Sequence, residues 1–129
     1  MVAAQTSHKN ILKKRESFLN AAKGNYIPRG SFVMQRNAKK DAHDDQFGVG
    51  FTVTKKVGNA VVRNRVRRRL REAIRHIDDQ LFEASHDYVL VGRAGALSIE
   101  FPTLCADIEK TLKKLARGEG RAARPRKFK

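Results

Sequence analysis

With 129 residues, 28 Lys and Arg against 13 Asp and Glu, and a formal charge of +15, the chain has room for one domain and one core and needs a polyanion as partner. A single cysteine, Cys105, excludes an intrachain disulfide and fits a reducing cytosol, so a cytoplasmic location is expected. No apolar run approaches transmembrane length, and the N-terminal stretch MVAAQTSHKNILKKR lacks the apolar segment of a secretory signal.

Residues 1–12 show no periodicity and are expected to be a loose lead-in. A short helix follows in KKRESFLNAAK, residues 13–23, with Gly24 placed as its C-terminal stop. Phe18 in this helix has two readings, a core residue or a platform that stacks on an unpaired base beside Lys13, Lys14 and Arg15. Tyr26 to Pro28 reads as a short extended piece, and Ser31 to Arg36 as a strand with Val33 and Gln35 on the face opposite Phe32 and Met34. The polar stretch 37–45 holds Asp41, His43, Asp44 and Asp45 at spacings that match no recognised metal site, as expected of a solvated hairpin loop.

Gln46 to Thr54 alternates cleanly, with Phe47, Val49, Phe51 and Val53 against Gly48, Gly50, Thr52 and Thr54. That predicts a strand with one buried face and one open, small-residue face. Asn59 is well suited to cap the helix that follows. On that helix Val62, Val66, Leu70, Ala73, Ile74 and Ile77 fall within an arc of roughly 120°. Arg65, Arg67, Arg68, Arg69, Arg71 and Arg75 occupy the rest, and Arg63 lies in the first turn. Like charges at i,i+4 repel by a few tenths of a kcal/mol per pair, which an external polyanion relieves. The small aliphatic arc and the absence of Trp argue against a membrane surface, so the expected ligand is nucleic acid.

Tyr88 to Gly92 reads as an inner strand, parallel to 46–54 because a helix lies between them. A last helix runs from about Pro102 to Arg117, with Phe101, Leu104, Ile108, Leu112 and Leu115 as its core face. Residues 117–129 read as a basic tail that is disordered until it meets a partner. The expected fold is α+β, a small mixed sheet packed with three helices in α-β-β-β-α-β-α order, forming one RNA-binding domain over 1–129. No catalytic constellation is apparent: His8, His43, His76 and His86 have no nucleophile beside them, and Glu72 has no second carboxylate facing the same way. Duplex DNA fits poorly, since no short turn joins two helices as in helix-turn-helix. A ribosomal or other structured-RNA-binding protein would share this composition.

The string FGVGFTVTKKVGNAVVRNRVRRRLREAIR, with LKKRESF upstream and DYVLVGRAGA downstream, resembles the protein subunit of bacterial ribonuclease P. The triplet Arg63-Asn64-Arg65 on a basic helix carries that resemblance, together with the TKK and GNAV before it. It implies a ribonucleoprotein endonuclease that removes the 5′ leader of precursor tRNA, with the active site and its Mg²⁺ ions on the RNA subunit. By position, Arg63, Asn64, Arg65, Arg67, Arg68 and Arg71 would contact the catalytic RNA. Phe18, Val33, Gln35, Thr52 and Thr54 would line a cleft for the leader, bordered by Lys55 and Lys56. The resemblance also implies a left-handed crossover between the parallel strands, against the general right-handed rule. Ala22 and Gln35 stand where the family commonly has aromatics, leaving fewer stacking platforms, each worth roughly 1–3 kcal/mol.

Overall fold

A computed structural model describes residues 9–11, 15–39 and 46–122 of the chain. In order these form β1 (Lys9–Ile11), α1 (Arg15–Ala22), β2 (Asn25–Pro28), β3 (Phe32–Ala38), β4 (Phe47–Val53), α2 (Ala60–Arg75), β5 (His86–Gly92), α3 (Phe101–Ala116) and β6 (Arg121–Ala122). Short 3-10 turns at Lys55–Val57, Asp79–Leu81 and Ala94–Leu97 join them. The strands make one 6-stranded mixed sheet, ordered β1-β4-β5-β3-β2-β6. β4 and β5 are parallel neighbours joined through α2, and β3 pairs antiparallel with β5. The fold is α+β, as the order of sequence elements predicts.

The alternation in β4 sets which face is filled. Phe51 pairs with Leu90 and Leu90 with Met34, so these three share one face. That face meets the apolar stripe of α2, where Val66, Leu70, Ala73 and Ile74 are buried, and that of α3, where Leu104, Ile108, Leu112 and Leu115 are buried. Stacked Phe47 and Phe82 rings, 4.5 Å apart, with Tyr88 edge-on at 5.0 Å from Phe82, close one end of this core. Asn59 caps α2, its side chain accepting from the Val62 N–H at 3.0 Å, a bond typically worth about 1 kcal/mol. Gly92 sits where α2 crosses the sheet, since a Cβ there would lie 2.5 Å from Val66 Cγ1 and 3.0 Å from Val53 Cγ2.

α1 packs on the opposite face. Asn20 donates from Nδ2 to the Ala38 carbonyl at 2.8 Å, and Asn37 Nδ2 donates to the Asn20 carbonyl at 2.9 Å. Buried Asp87 lies 3.7 Å from Lys39 Nζ and accepts weakly from Asn20 at 3.4 Å. Ala21 and Val89 are the buried apolar residues here, and neither belongs to the main core.

Three expectations are corrected. The lead-in 1–12 holds a strand at 9–11, paired in parallel with β4. The tail 117–129 holds another at 121–122, antiparallel to β2. Gly48 and Gly50, expected on an open face, are buried. Lys13 and Lys14 of the first expected helix, the acidic stretch 41–45, His8 and the tail beyond 122 lie outside the described residues. Among the described residues no helix is long and apolar enough to cross a membrane.

Candidate nucleic-acid interface

With Val66, Leu70, Ala73 and Ile74 turned inward, the remaining surface of α2 is guanidinium-rich, and the arginines divide by what they already bind. Arg69 donates from Nη1 to the Ala96 carbonyl at 2.6 Å, which ties α2 to the 94–97 turn. Arg63 Nε donates to the Gly58 carbonyl at 3.2 Å, and Arg67 Nη1 to Asn64 Oδ1 at 2.8 Å. Arg75 lies 3.5 Å from Glu72, which also faces His76 Nε2 at 3.5 Å. Arg71 leans over the Phe51 ring, 5.8 Å from its centroid. Arg65 and Arg68 are exposed and pair with no carboxylate among the described residues. Exposed Lys55 and Lys56 precede the helix, and no acidic residue in its first turn offsets its positive end.

The second candidate surface is what α1 leaves uncovered. Register places Val33, Val91 and Thr52 side by side across β3, β5 and β4, and Gln35 beside Val89 and Gly50 in the next row. Val33, Gln35, Val91 and Thr52 are half-buried, while Val89 and Gly50 are buried. Phe18 projects from α1 one turn before buried Ala21, is half-buried and is not among the residues packed on the main core. Thr54, Lys55 and Lys56, all exposed, continue from the Thr52 end of β4. The structure thus brings Val33, Gln35 and Thr52 onto the face that carries α1, with the Thr54–Lys56 segment at its border. Ala22 is exposed, and Leu19, at 48 % exposure, faces away from the core. Val91 is the member of this surface that sequence reading missed, hidden inside an apolar run.

Among the described residues nothing in the electrostatics suggests a nucleophile. Burial pushes the Tyr88 phenol up, with Arg36 acting the other way, and its oxygen accepts the Glu83 N–H at 2.9 Å. Burial, and then Glu109, raise the Cys105 thiol. Among the described residues no three His, Cys, Asp or Glu side chains converge to hold a metal ion.

Residues 7–116 match the family model described as Ribonuclease P. The chain is 47% identical over 104 residues to the ribonuclease P protein component of Gluconacetobacter diazotrophicus, covering 80% of this chain and 88% of that one. The corresponding protein of Ruegeria pomeroyi is 41% identical over 107 residues, covering 82% and 86%. Among solved structures, the Staphylococcus aureus RNase P protein superposes with a TM-score of 0.62 at 27% identity, covering 85% of this chain and 96% of that one. The Thermotoga maritima RNase P protein shares the fold with a TM-score of 0.57 at 23% identity, covering 78% and 88%.

Proposed function

The chain belongs to the ribonuclease P protein family, and on that footing we propose that it grips two RNAs with opposite faces of one sheet. The guanidinium-rich surface of α2, with Arg63, Asn64, Arg65, Arg67, Arg68 and Arg71 as contacts, binds the catalytic RNA. The half-open face beside α1, with Phe18, Val33, Gln35, Thr52 and Thr54, holds the 5′ leader of precursor tRNA, and Lys55 and Lys56 reach its phosphates. One observation carries this reading: α2 and the half-covered sheet face lie on opposite sides of the sheet, so a single domain presents both surfaces at once. Hydrolysis belongs to the RNA subunit and its Mg²⁺. The described residues of this chain offer no converging ligand set for a metal ion, so no metal-dependent step is assigned to them. The protein acts by neutralising phosphate charge, which lets two polyanions meet and lowers the Mg²⁺ the RNA needs to fold and react.

Cleavage of precursor tRNA by the cognate RNA subunit tests this directly. Adding the protein should restore 5′-end maturation at Mg²⁺ concentrations where the RNA alone is slow, and rigorously RNA-free protein should release no leader at any Mg²⁺ concentration. Leader removal by the protein alone would overturn the assignment of chemistry to the RNA. Phe18→Ala should weaken precursor tRNA binding by roughly 1–3 kcal/mol while barely changing affinity for mature tRNA. A core role would instead lower the melting temperature with no discrimination between the two tRNAs, since Phe→Ala in a core costs about 3–5 kcal/mol.

A further inference from the structure

The leader face does not end at β3. Tyr26 on β2 pairs with Gln35 on one side and with Arg121 of β6 on the other. Gln35 pairs with Val89 and Val89 with Gly50, so Arg121, Tyr26, Gln35, Val89 and Gly50 form one row. Residues opposite one another on adjacent strands share a face. The neighbouring row fixes which face this is. Arg36, the partner of Asn25, reaches the α3 side and donates from Nη1 to the Leu115 carbonyl at 2.8 Å. A Cβ at Gly120 would meet Leu115 Cδ2 at 2.7 Å and Asn25 Cβ at 3.0 Å, which puts Asn25 on that side too. Tyr26 alternates with Asn25 and therefore stands on the α1 side, the side of the leader.

Tyr26 is half-buried and packs on no part of the main core, and among the described residues neither its ring nor its hydroxyl has a partner. Arg121 is exposed and pairs with no carboxylate among them. An aromatic ring and an uncommitted guanidinium thus adjoin on the sheet edge, continuous with the surface already assigned to single-stranded RNA. We propose that Tyr26 and Arg121 form a further nucleotide subsite: the phenol ring stacks on an unpaired base, and Arg121 pairs with a phosphate beside it. The occupant is the distal part of a long leader. From β4 to β6 the face spans four strand spacings, about 19 Å, so a short leader held near Phe18 and Thr52 stops before the edge and a long one reaches it.

This inference rests on the leader-face reading above, and the test separates the two. Holoenzyme assembled with the cognate RNA subunit would be titrated with precursor tRNAs carrying short, intermediate and long leaders, using wild type, Tyr26→Ala, Tyr26→Phe, Arg121→Ala and Phe18→Ala. Tyr26→Ala and Arg121→Ala should each weaken binding of the long-leader substrate by about fivefold or more, with the loss shrinking as the leader shortens. Tyr26→Phe keeps the stacking surface and should track wild type. Arg121→Ala alters an exposed side chain, so it remains informative even if Tyr26→Ala lowers the melting temperature. Equal loss at every leader length, no loss at all, or loss of affinity for the RNA subunit instead of the leader would overturn the subsite. A loss with Phe18→Ala alone would retain the leader face and remove its edge. Length-dependent loss with Tyr26→Ala and Arg121→Ala but none with Phe18→Ala would support the edge subsite and remove only the Phe18 assignment.

Discussion

Replacing Arg65 and Arg68 together by Ala is expected to weaken binding to the catalytic RNA about tenfold or more and to lower the slope of log K against log salt by about 1.5–2 units. Both side chains are exposed and unpaired with any carboxylate among the described residues, so each guanidinium is available to displace a counterion from a phosphate. The fold should not suffer. Ala has the highest helix propensity, and the change removes like-charge neighbours at helical spacing, such as Arg65 with Arg69 and Arg68 with Arg71. Arg69→Ala is the matched control. Its guanidinium is committed to the Ala96 carbonyl, so its loss should lower stability by about 1.5–3 kcal/mol, the usual worth of a charged hydrogen bond, with little change in salt slope. An unchanged slope in a folded double variant would place the RNA on another surface.

The contrast between Arg65 and Arg69 marks how far the site was legible in the sequence. Charge at helical spacing identifies the face, because Val66, Leu70, Ala73 and Ile74 fix which way the helix turns. It does not tell which guanidinium groups are already engaged, since Ala96 is 27 residues away in sequence and its carbonyl is placed only by the tertiary fold. Val91 was illegible for a related reason. From Tyr88 to Val91 both faces of β5 are apolar, so no alternation distinguishes the half-open face from the core face, and only pairing with Val33 and Thr52 does so.

The strands divide the same way. β4 declares itself by alternation, whereas β1 and β6 carry no such pattern. They form because the outer edges of β4 and β2 present unpaired backbone groups that a passing segment can satisfy. Arg121 and Ala122 are both exposed, so no burial signal predicts a strand there. That backbone pairing is also what brings Arg121 beside Tyr26. Gly48 and Gly50 show the converse limit: alternation placed them on the face opposite the core correctly, but not how much of that face is covered.

Gly24→Ala is expected to destabilise the protein by about 1–3 kcal/mol, the usual cost of overpacking, and to weaken leader binding more than binding of the catalytic RNA. The sequence suggests this glycine as a helix stop, and α1 does end just before it, but Gly24 is not among the glycines with positive φ, which are Gly58 and Gly118. Close approach is what excludes a side chain. A Cβ at Gly24 would collide with the Arg36 carbonyl oxygen and would lie 2.6 Å from Asn37 Cβ and 2.8 Å from the Arg36 carbonyl carbon. Two of those atoms are backbone of β3, so relief requires the end of α1 to lift from the sheet. Lifting it strains the Asn20 and Asn37 hydrogen bonds and displaces Phe18 from the proposed leader face. α2 packs on the other face and keeps its contacts. Gly30→Ala provides the comparison: no atom lies within 4 Å of a Cβ there and φ is not positive, so the substitution should be neutral or stabilising by up to about 1 kcal/mol. Thermal unfolding of both variants, with precursor tRNA and RNA-subunit affinities measured on each, checks the chain of cause. Equal stability of the two variants would refute the close-approach explanation, and a stability loss in Gly24→Ala without a selective loss of leader affinity would detach α1 from the leader face.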